Sequence, residues 1–91
     1  MIIYKTGTES IVADDLEDFF EGWGKKPDPE KRLKILQNSD HIITAHDEGR
    51  LIGFINAITD KTLSAYIPLL EVLPAYRGKG IGGELVKRMT E

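Results

Sequence analysis

The fold of this chain is indicated most clearly by residues 69–86, LLEVLPAYRGKGIGGELV. The segment begins as an apolar strand, turns at Pro74 and continues through a glycine cluster into a helical pattern. Backbone amides at a helix start have no acceptor within the helix and carry the positive end of its dipole, so they bind anions. Glycines at 78, 80, 82 and 83 allow unusual dihedrals and a close approach, and Arg77 adds a fixed positive charge. The stretch predicts a strand, a turn and a phosphate-binding helix N-terminus.

The residues before this stretch are typical of antiparallel strands. Residues 41–45 and 51–58 are rich in β-branched and aromatic side chains and flank a turn at residues 47–50, which predicts a β-hairpin. A long strand follows from about residue 63 to residue 73. Pro68 interrupts it, and proline cannot donate to a sheet ladder, so we expect a bulge or an unpaired edge there.

The N-terminal half is predicted to hold one strand and two helices. Residues 2–4 are β-prone, and apolar residues at helical spacing between Val12 and Trp23 indicate an amphipathic helix. Asp28-Pro29 is typical of a second helix start, because proline loses no useful donor there and aspartate caps free amides. With a closing helix after the glycines, the order β-α-α-β-β-β-α predicts an α/β fold whose sheet is mainly antiparallel, in one domain over residues 1–91.

Composition narrows the function classes. The chain has 91 residues, a net charge of -3 and no cysteine. Its basic residues are scattered between carboxylates rather than gathered in a stripe, so nucleic acid is not an expected partner. No apolar run approaches the ~20 residues of a membrane span, and the N-terminus lacks the pattern of a signal peptide. We therefore expect no membrane partner and a cytoplasmic location.

Residues 77–82, Arg-Gly-Lys-Gly-Ile-Gly, resemble the pyrophosphate-binding signature of the GNAT superfamily, the Gcn5-related N-acetyltransferases. That signature is arginine or glutamine, two residues, glycine, one residue, then glycine or alanine. Residues 72–74 are similar to the end of the family's fourth strand, which carries a bulge and splays from its neighbour to admit the pantetheine arm. Pro68 suits such a strand, and the element order matches the N-terminal two-thirds of the family's domain. The resemblance implies an N-acetyltransferase domain that uses acetyl-coenzyme A.

The resemblance also implies roles for individual residues. Attack by a neutral amine on an acetyl thioester needs a group that takes a proton and a donor for the developing oxyanion. Glu71 is the candidate general base, with an ordinary exposed strand glutamate as the alternative, and the backbone amide near Val72 or Leu73 is the candidate oxyanion donor. The coenzyme-binding residues are Val72, Leu73, Arg77, Gly78, Lys79, Gly80, Ile81, Gly82 and Gly83.

Other residues have weaker claims to a site. Tyr66 and Trp23 can border an acceptor pocket, although core packing is the commoner use of such side chains. His41 and His46 are five residues apart on a predicted strand, which sends them to opposite faces, so we expect no shared metal.

The glycine cluster also has partial matches to two other nucleotide-binding motifs. Glycines at 78, 80 and 83 also satisfy the dinucleotide pattern G-x-G-x-x-G, but a following βαβ unit and an acidic residue ~20 positions on are absent from a chain that stops at Glu91. No Gly-Lys-Ser or Gly-Lys-Thr sequence occurs, so the cluster is not a Walker A loop. Glycines also serve tight turns and close packing without any ligand.

A complete domain of this family continues with further strands and a helix, so the resemblance implies a domain truncated after the pyrophosphate motif. Two functions therefore stay open: an acetyltransferase acting on a small-molecule or protein amine, and a catalytically silent module that binds coenzyme A or associates with itself. An open sheet edge at residues 69–73 would offer unpaired backbone and apolar side chains to another chain. We expect a homodimer or larger assembly.

Overall fold

The computed structural model describes residues 1–20, 27–59, 65–67 and 69–90. Its elements, in chain order, are β1 Ile2–Thr6, a 3-10 helix Ala13–Leu16, α1 Pro29–Gln37, β2 His41–Asp47, β3 Arg50–Thr59, β4 Ala65–Tyr66, β5 Leu70–Val72, a 3-10 helix Pro74–Tyr76 and α2 Ile81–Thr90. All strand pairs are antiparallel, in the order β1-β2-β3, with β4 and β5 on successive segments of β3. This confirms the predicted α/β fold.

The two faces of the sheet are covered by different parts of the chain. Phe54 of β3 packs against Phe19 and Phe20, with ring centroids 5.2 and 6.2 Å away. A Cβ on the adjacent Gly53 would lie 3.5 Å from Leu85 Cδ1 of α2. Because successive strand residues face opposite sides, α2 and the phenylalanine pair lie on opposite faces of the sheet.

Helix α1 begins where the sequence predicts. The Lys31 backbone N–H donates to Asp28 Oδ1 at 2.9 Å, so Asp28 is the N-cap, and Pro29 is the first helical residue. Helices α1 and α2 have 9 and 10 residues, and within the described ranges no helix is long and apolar enough to cross a membrane.

The helix predicted from Val12 onward is wrong for residues 17–20. Only Ala13–Leu16 is helical there, as a 3-10 helix, and Trp23 lies outside the described residues. An α-helix would bond the Leu16 carbonyl to the N–H of Phe20. Instead that carbonyl accepts from Arg32 Nη1 at 2.6 Å and from the Phe19 N–H at 3.2 Å. Phe20, at φ 67°, donates its N–H to Glu71 Oε1 at 2.7 Å. Partners from α1 and β5 replace the helical bonds.

The long strand predicted over residues 63–73 is divided. Tyr66 pairs with Ile58, and Leu70 pairs with Ile55. From Tyr66 to Leu70 the chain advances four residues, whereas β3 advances only three between the same two pairs. The extra residue makes a bulge, as predicted for this place, although Pro68 itself lies outside the described residues. Asn56 of β3 holds the bulge at Leu69: its backbone N–H donates to the Leu69 carbonyl at 3.1 Å, and its Oδ1 accepts the Leu69 N–H at 3.0 Å.

Arg32 is a buried cation that donates to backbone carbonyls and lies over the Phe20 ring, with its Cζ 5.7 Å from the ring centroid. Its Nε donates to Pro27 O at 2.7 Å and its Nη1 to Leu16 O and Glu17 O. Arg32→Met is expected to lower the free energy of unfolding by about 2 kcal/mol, because these carbonyls lose charged donors. Urea unfolding measures this, with Lys31→Met on the exposed side of α1 as control. Equal stability of the two variants would contradict a structural role for Arg32.

Candidate coenzyme-binding site

The start of α2 is an open set of backbone donors. The first helical bond runs from Glu84 N–H to the Gly80 carbonyl at 3.0 Å, so the amides of Ile81, Gly82 and Gly83 have no acceptor within the helix. Gly78 and Gly80 precede them at φ 80° and 83°, in the left-handed region that glycine enters without strain. The backbone turns sharply into the helix at these two residues.

The glycines of this loop have open space at their Cβ positions. A Cβ at Gly78, Gly80 or Gly83 would meet nothing within 4 Å, and one at Gly82 would meet only Val72 Cγ2, at 4.0 Å. Residues 77–80 are exposed. The loop therefore fits an anionic group such as the pyrophosphate of coenzyme A, whose charge would face the helix dipole and backbone N–H groups.

Arg77 is oriented by the strand that precedes the loop. Its Nε donates to the Val72 carbonyl at 3.0 Å. A guanidinium has five N–H donors in a planar fork, so this single bond leaves donors for a phosphate. The side chain is exposed and positioned beside the glycine loop.

The structure distinguishes the two candidate oxyanion donors. The Leu73 N–H donates to the Ile52 carbonyl of β3 at 2.9 Å, so it is not available to a substrate. Successive N–H groups of a strand point to alternate sides, which directs the Val72 N–H away from β3. The Val72 carbonyl points the same way, as its bond from Arg77 shows. Val72 is the better donor of the two.

Glu71 lies in β5, opposite Phe54, and is half-buried. Its Oε1 accepts the Phe20 N–H at 2.7 Å. The carboxylate therefore joins β5 to the N-terminal segment in addition to any chemical role. It is not the freely exposed strand glutamate of the alternative interpretation.

Tyr66, His41 and His46, the remaining candidates among the described residues, are not brought together in one site. Tyr66 is exposed on β4. His41 is exposed at one end of β2, whereas His46 is buried near the other end and its Nε2 lies 2.8 Å from Thr44 Oγ1. Burial lowers the pKa of His46, with a smaller contribution from Lys5. Nowhere in the described ranges do three His, Cys, Asp or Glu side chains meet as a metal site requires.

Two residues near the site were missed from the sequence. Asn56 holds the bulge that precedes β5, and its signal was a polar residue inside the apolar run LIGFINAI, residues 51–58. Asp47 contacts the turn before the glycine loop through Tyr76, and nothing local in the sequence indicates that contact.

Comparison with known proteins identifies the family. The sequence profile of the Acetyltransferase (GNAT) family matches residues 8–91. The chain belongs to the GNAT acetyltransferase family.

Individual relatives agree with this assignment. A proposed acetyltransferase from Deinococcus radiodurans R1 is 40% identical with a TM-score of 0.91, over 97% of this chain and 62% of that one. The uncharacterized N-acetyltransferase ycf52 of Porphyra purpurea is 30% identical over 98% of this chain and 56% of its own length. This chain thus spans less than two thirds of either relative.

A more distant structure shows the same fold with a ligand. The aminoglycoside N-acetyltransferase AAC(6')-Iy in complex with CoA has a TM-score of 0.72 at 16% identity, over 99% of this chain and 67% of that one. At that identity the likeness shows the fold alone.

Proposed function

We propose that residues 1–91 form part of one acetyl-coenzyme A-dependent N-acetyltransferase domain, and that the coenzyme's pyrophosphate lies on the amides of residues 78–83. The observation that supports this most is the start of α2. There, three amides without helical acceptors follow two left-handed glycines in open space. The acceptor in this proposal is a small-molecule or protein amine, since N-acetyl transfer needs an amine nucleophile. The cytoplasm remains the expected compartment.

The residues of β5 have separate proposed roles in the transfer. A neutral amine attacks the acetyl carbon, the thioester C–S bond breaks, and the amine proton must leave. The Val72 N–H, directed away from β3, would stabilise the developing oxyanion. Glu71 would accept the proton, directly or through a water molecule.

Calorimetric titration of the chain with coenzyme A tests the binding proposal. Saturable binding with a stoichiometry of one is expected, and competition by inorganic pyrophosphate would locate it at an anion site. No affinity at millimolar coenzyme A would refute the proposal.

Arg77→Ala is expected to weaken coenzyme A binding by about 1.5–3 kcal/mol, the contribution of a hydrogen bond to a charged group. Calorimetry with Lys87→Ala as control measures this, because Lys87 is an exposed cation late in α2. Equal affinity of wild type and Arg77→Ala would show that Arg77 bonds to the Val72 carbonyl without contributing to coenzyme A binding.

A catalytically silent module that binds coenzyme A is the second candidate. The chain spans 56% and 62% of the lengths of the two relatives described above, so turnover is tested separately from binding. Consumption of acetyl-coenzyme A with a panel of amines separates the candidates. Turnover supports the enzyme, and binding without turnover supports the module.

We also propose that the chain associates with itself through the β5 edge or the adjoining face of α2. Among the described residues β5 pairs only with β3, and Leu70 on it is 43% exposed. Tyr66 and Ile67, just before it, are also exposed apolar residues. Edges of this kind pair readily with other strands. Analytical ultracentrifugation at tens of micromolar should show a dimer or larger species that Leu70→Lys shifts toward monomer. A folded wild-type monomer would contradict this.

A further inference from the structure

Asp47 joins the β2–β3 hairpin to the turn before the glycine loop. Tyr76 Oη donates to Asp47 Oδ2 at 2.8 Å, and the N-terminal ammonium lies 3.3 Å from Asp47 Oδ1. Tyr76 and Asp47 are 29 residues apart, so this bond connects two distant parts of the chain. The hydrogen bond with Tyr76 is the main cause that lowers the pKa of Asp47, and the same bond raises the pKa of Tyr76.

Both the backbone and the side chain of Tyr76 are fixed by contacts. Its backbone N–H donates to the Leu73 carbonyl at 2.9 Å, and its half-buried ring packs against the core. It ends the 3-10 helix Pro74–Tyr76 and directly precedes Arg77. The hydroxyl bond to Asp47 therefore fixes the direction in which the chain enters the glycine loop.

The same ring contacts a residue of the loop itself. Lys79 Nζ lies 5.7 Å from the Tyr76 ring centroid, within the range of a cation–π interaction. Lys79 stands between the left-handed Gly78 and Gly80. Asp47, Tyr76 and Lys79 thus form a short chain of contacts from the hairpin to the loop.

We propose that Asp47 is a positioning residue for the glycine loop, which sets the loop's affinity for the coenzyme phosphates through Tyr76 without touching them. This rests on the proposed function of the loop. A carboxylate acting directly on a phosphate would repel it. The two ways of acting therefore predict opposite changes in the affinity for coenzyme A. Removal of Asp47 weakens binding if Asp47 acts through Tyr76, and it strengthens binding if Asp47 acts by repulsion.

Calorimetric titration of coenzyme A into the whole chain tests this with four variants. Asp47→Ala and Tyr76→Phe are each expected to raise Kd about fivefold, the range of one lost hydrogen bond. The double variant should be no weaker than either single variant, because both changes break one contact. Asp47→Asn keeps an acceptor for the Tyr76 hydroxyl and should stay within about twofold of wild type.

Glu48→Gln is the control. Glu48 is an exposed carboxylate in the same turn, and its substitution removes one negative charge, as Asp47→Asn does. Amide hydrogen exchange of residues 77–80 without ligand gives a second measurement. Asp47→Ala and Tyr76→Phe should accelerate it, whereas Asp47→Asn and Glu48→Gln should not.

The binding and exchange measurements can each contradict the role proposed for Asp47. The proposal would be overturned if the losses of coenzyme A affinity in Asp47→Ala and Tyr76→Phe were additive in the double variant, or if Asp47→Ala bound coenzyme A more tightly than wild type. Unchanged amide exchange of residues 77–80 in both single variants would also overturn it. Wild type that fails to bind coenzyme A, with loop exchange still accelerated in those two variants, would refute the function proposed for the loop while leaving Asp47 as the residue that positions it.

Discussion

Gly80→Val is expected to raise the Kd for coenzyme A at least ~150-fold, about 3 kcal/mol or more. Gly80 has φ 83°, and a β-branched residue is a conformational outlier there. The backbone must leave this conformation, so the amides that follow no longer converge on one anion. More than one charge-assisted hydrogen bond is then lost, each with a contribution of ~1.5–3 kcal/mol.

Two other glycines provide matched controls for Gly80→Val. Gly7, which follows β1, has φ 85°, and its added Cβ would first meet the movable end of the Glu9 side chain, so Gly7→Val introduces similar strain away from both the loop and Asp47. Gly82 is helical, and its added Cβ would meet only Val72 Cγ2 at 4.0 Å, so Gly82→Ala should bind normally. Equal loss of affinity in the Gly7 and Gly80 variants would show that backbone strain, and not the anion site, is responsible.

The parts of the fold that follow from local rules were predictable. The cap at Asp28, the hairpin at residues 47–50 and the helix after the glycines each depend on residues close in sequence. Hydrophobic period and capping chemistry act over that same short range.

The segment at residues 17–20 was not predictable in this way. Its helical period is genuine, but the Leu16 carbonyl bonds to Arg32, 16 residues away, and the Phe20 N–H bonds to Glu71, 51 residues away. Tertiary contacts that satisfy backbone groups override a local preference for helix. No pattern within the segment reports on those partners.

The candidate site was predictable in its composition but not in its geometry. The glycines and Arg77 predict an anion site, and the structure leaves the amides of residues 81–83 without acceptors in the helix. Anion binding there stays a prediction. The choice between the Val72 and Leu73 amides depends on pairing with β3, where a register shift lies opposite Ala45 and His46. Register is a property of two strands, so one strand's sequence does not fix it.

Glu71→Gln is expected to lower turnover about 100- to 10,000-fold at unchanged coenzyme A affinity, as for loss of a general base. The glutamine oxygen can still accept the Phe20 N–H that Glu71 Oε1 now accepts at 2.7 Å, so the fold should keep its stability. Release of coenzyme A thiol with an amine panel, measured across a pH series, gives the turnover.

Glu71→Ala separates chemistry from structure, because it removes both the base and the acceptor for the Phe20 N–H. That N–H belongs to a buried residue at φ 67°, a strained conformation that its partners must maintain. We therefore expect Glu71→Ala to lower Tm as well as turnover, whereas Glu71→Gln lowers turnover alone. If Glu71→Gln keeps full turnover at every pH while Glu71→Ala loses stability, the carboxylate serves only to hold Phe20, and a water molecule or another residue must take the amine proton.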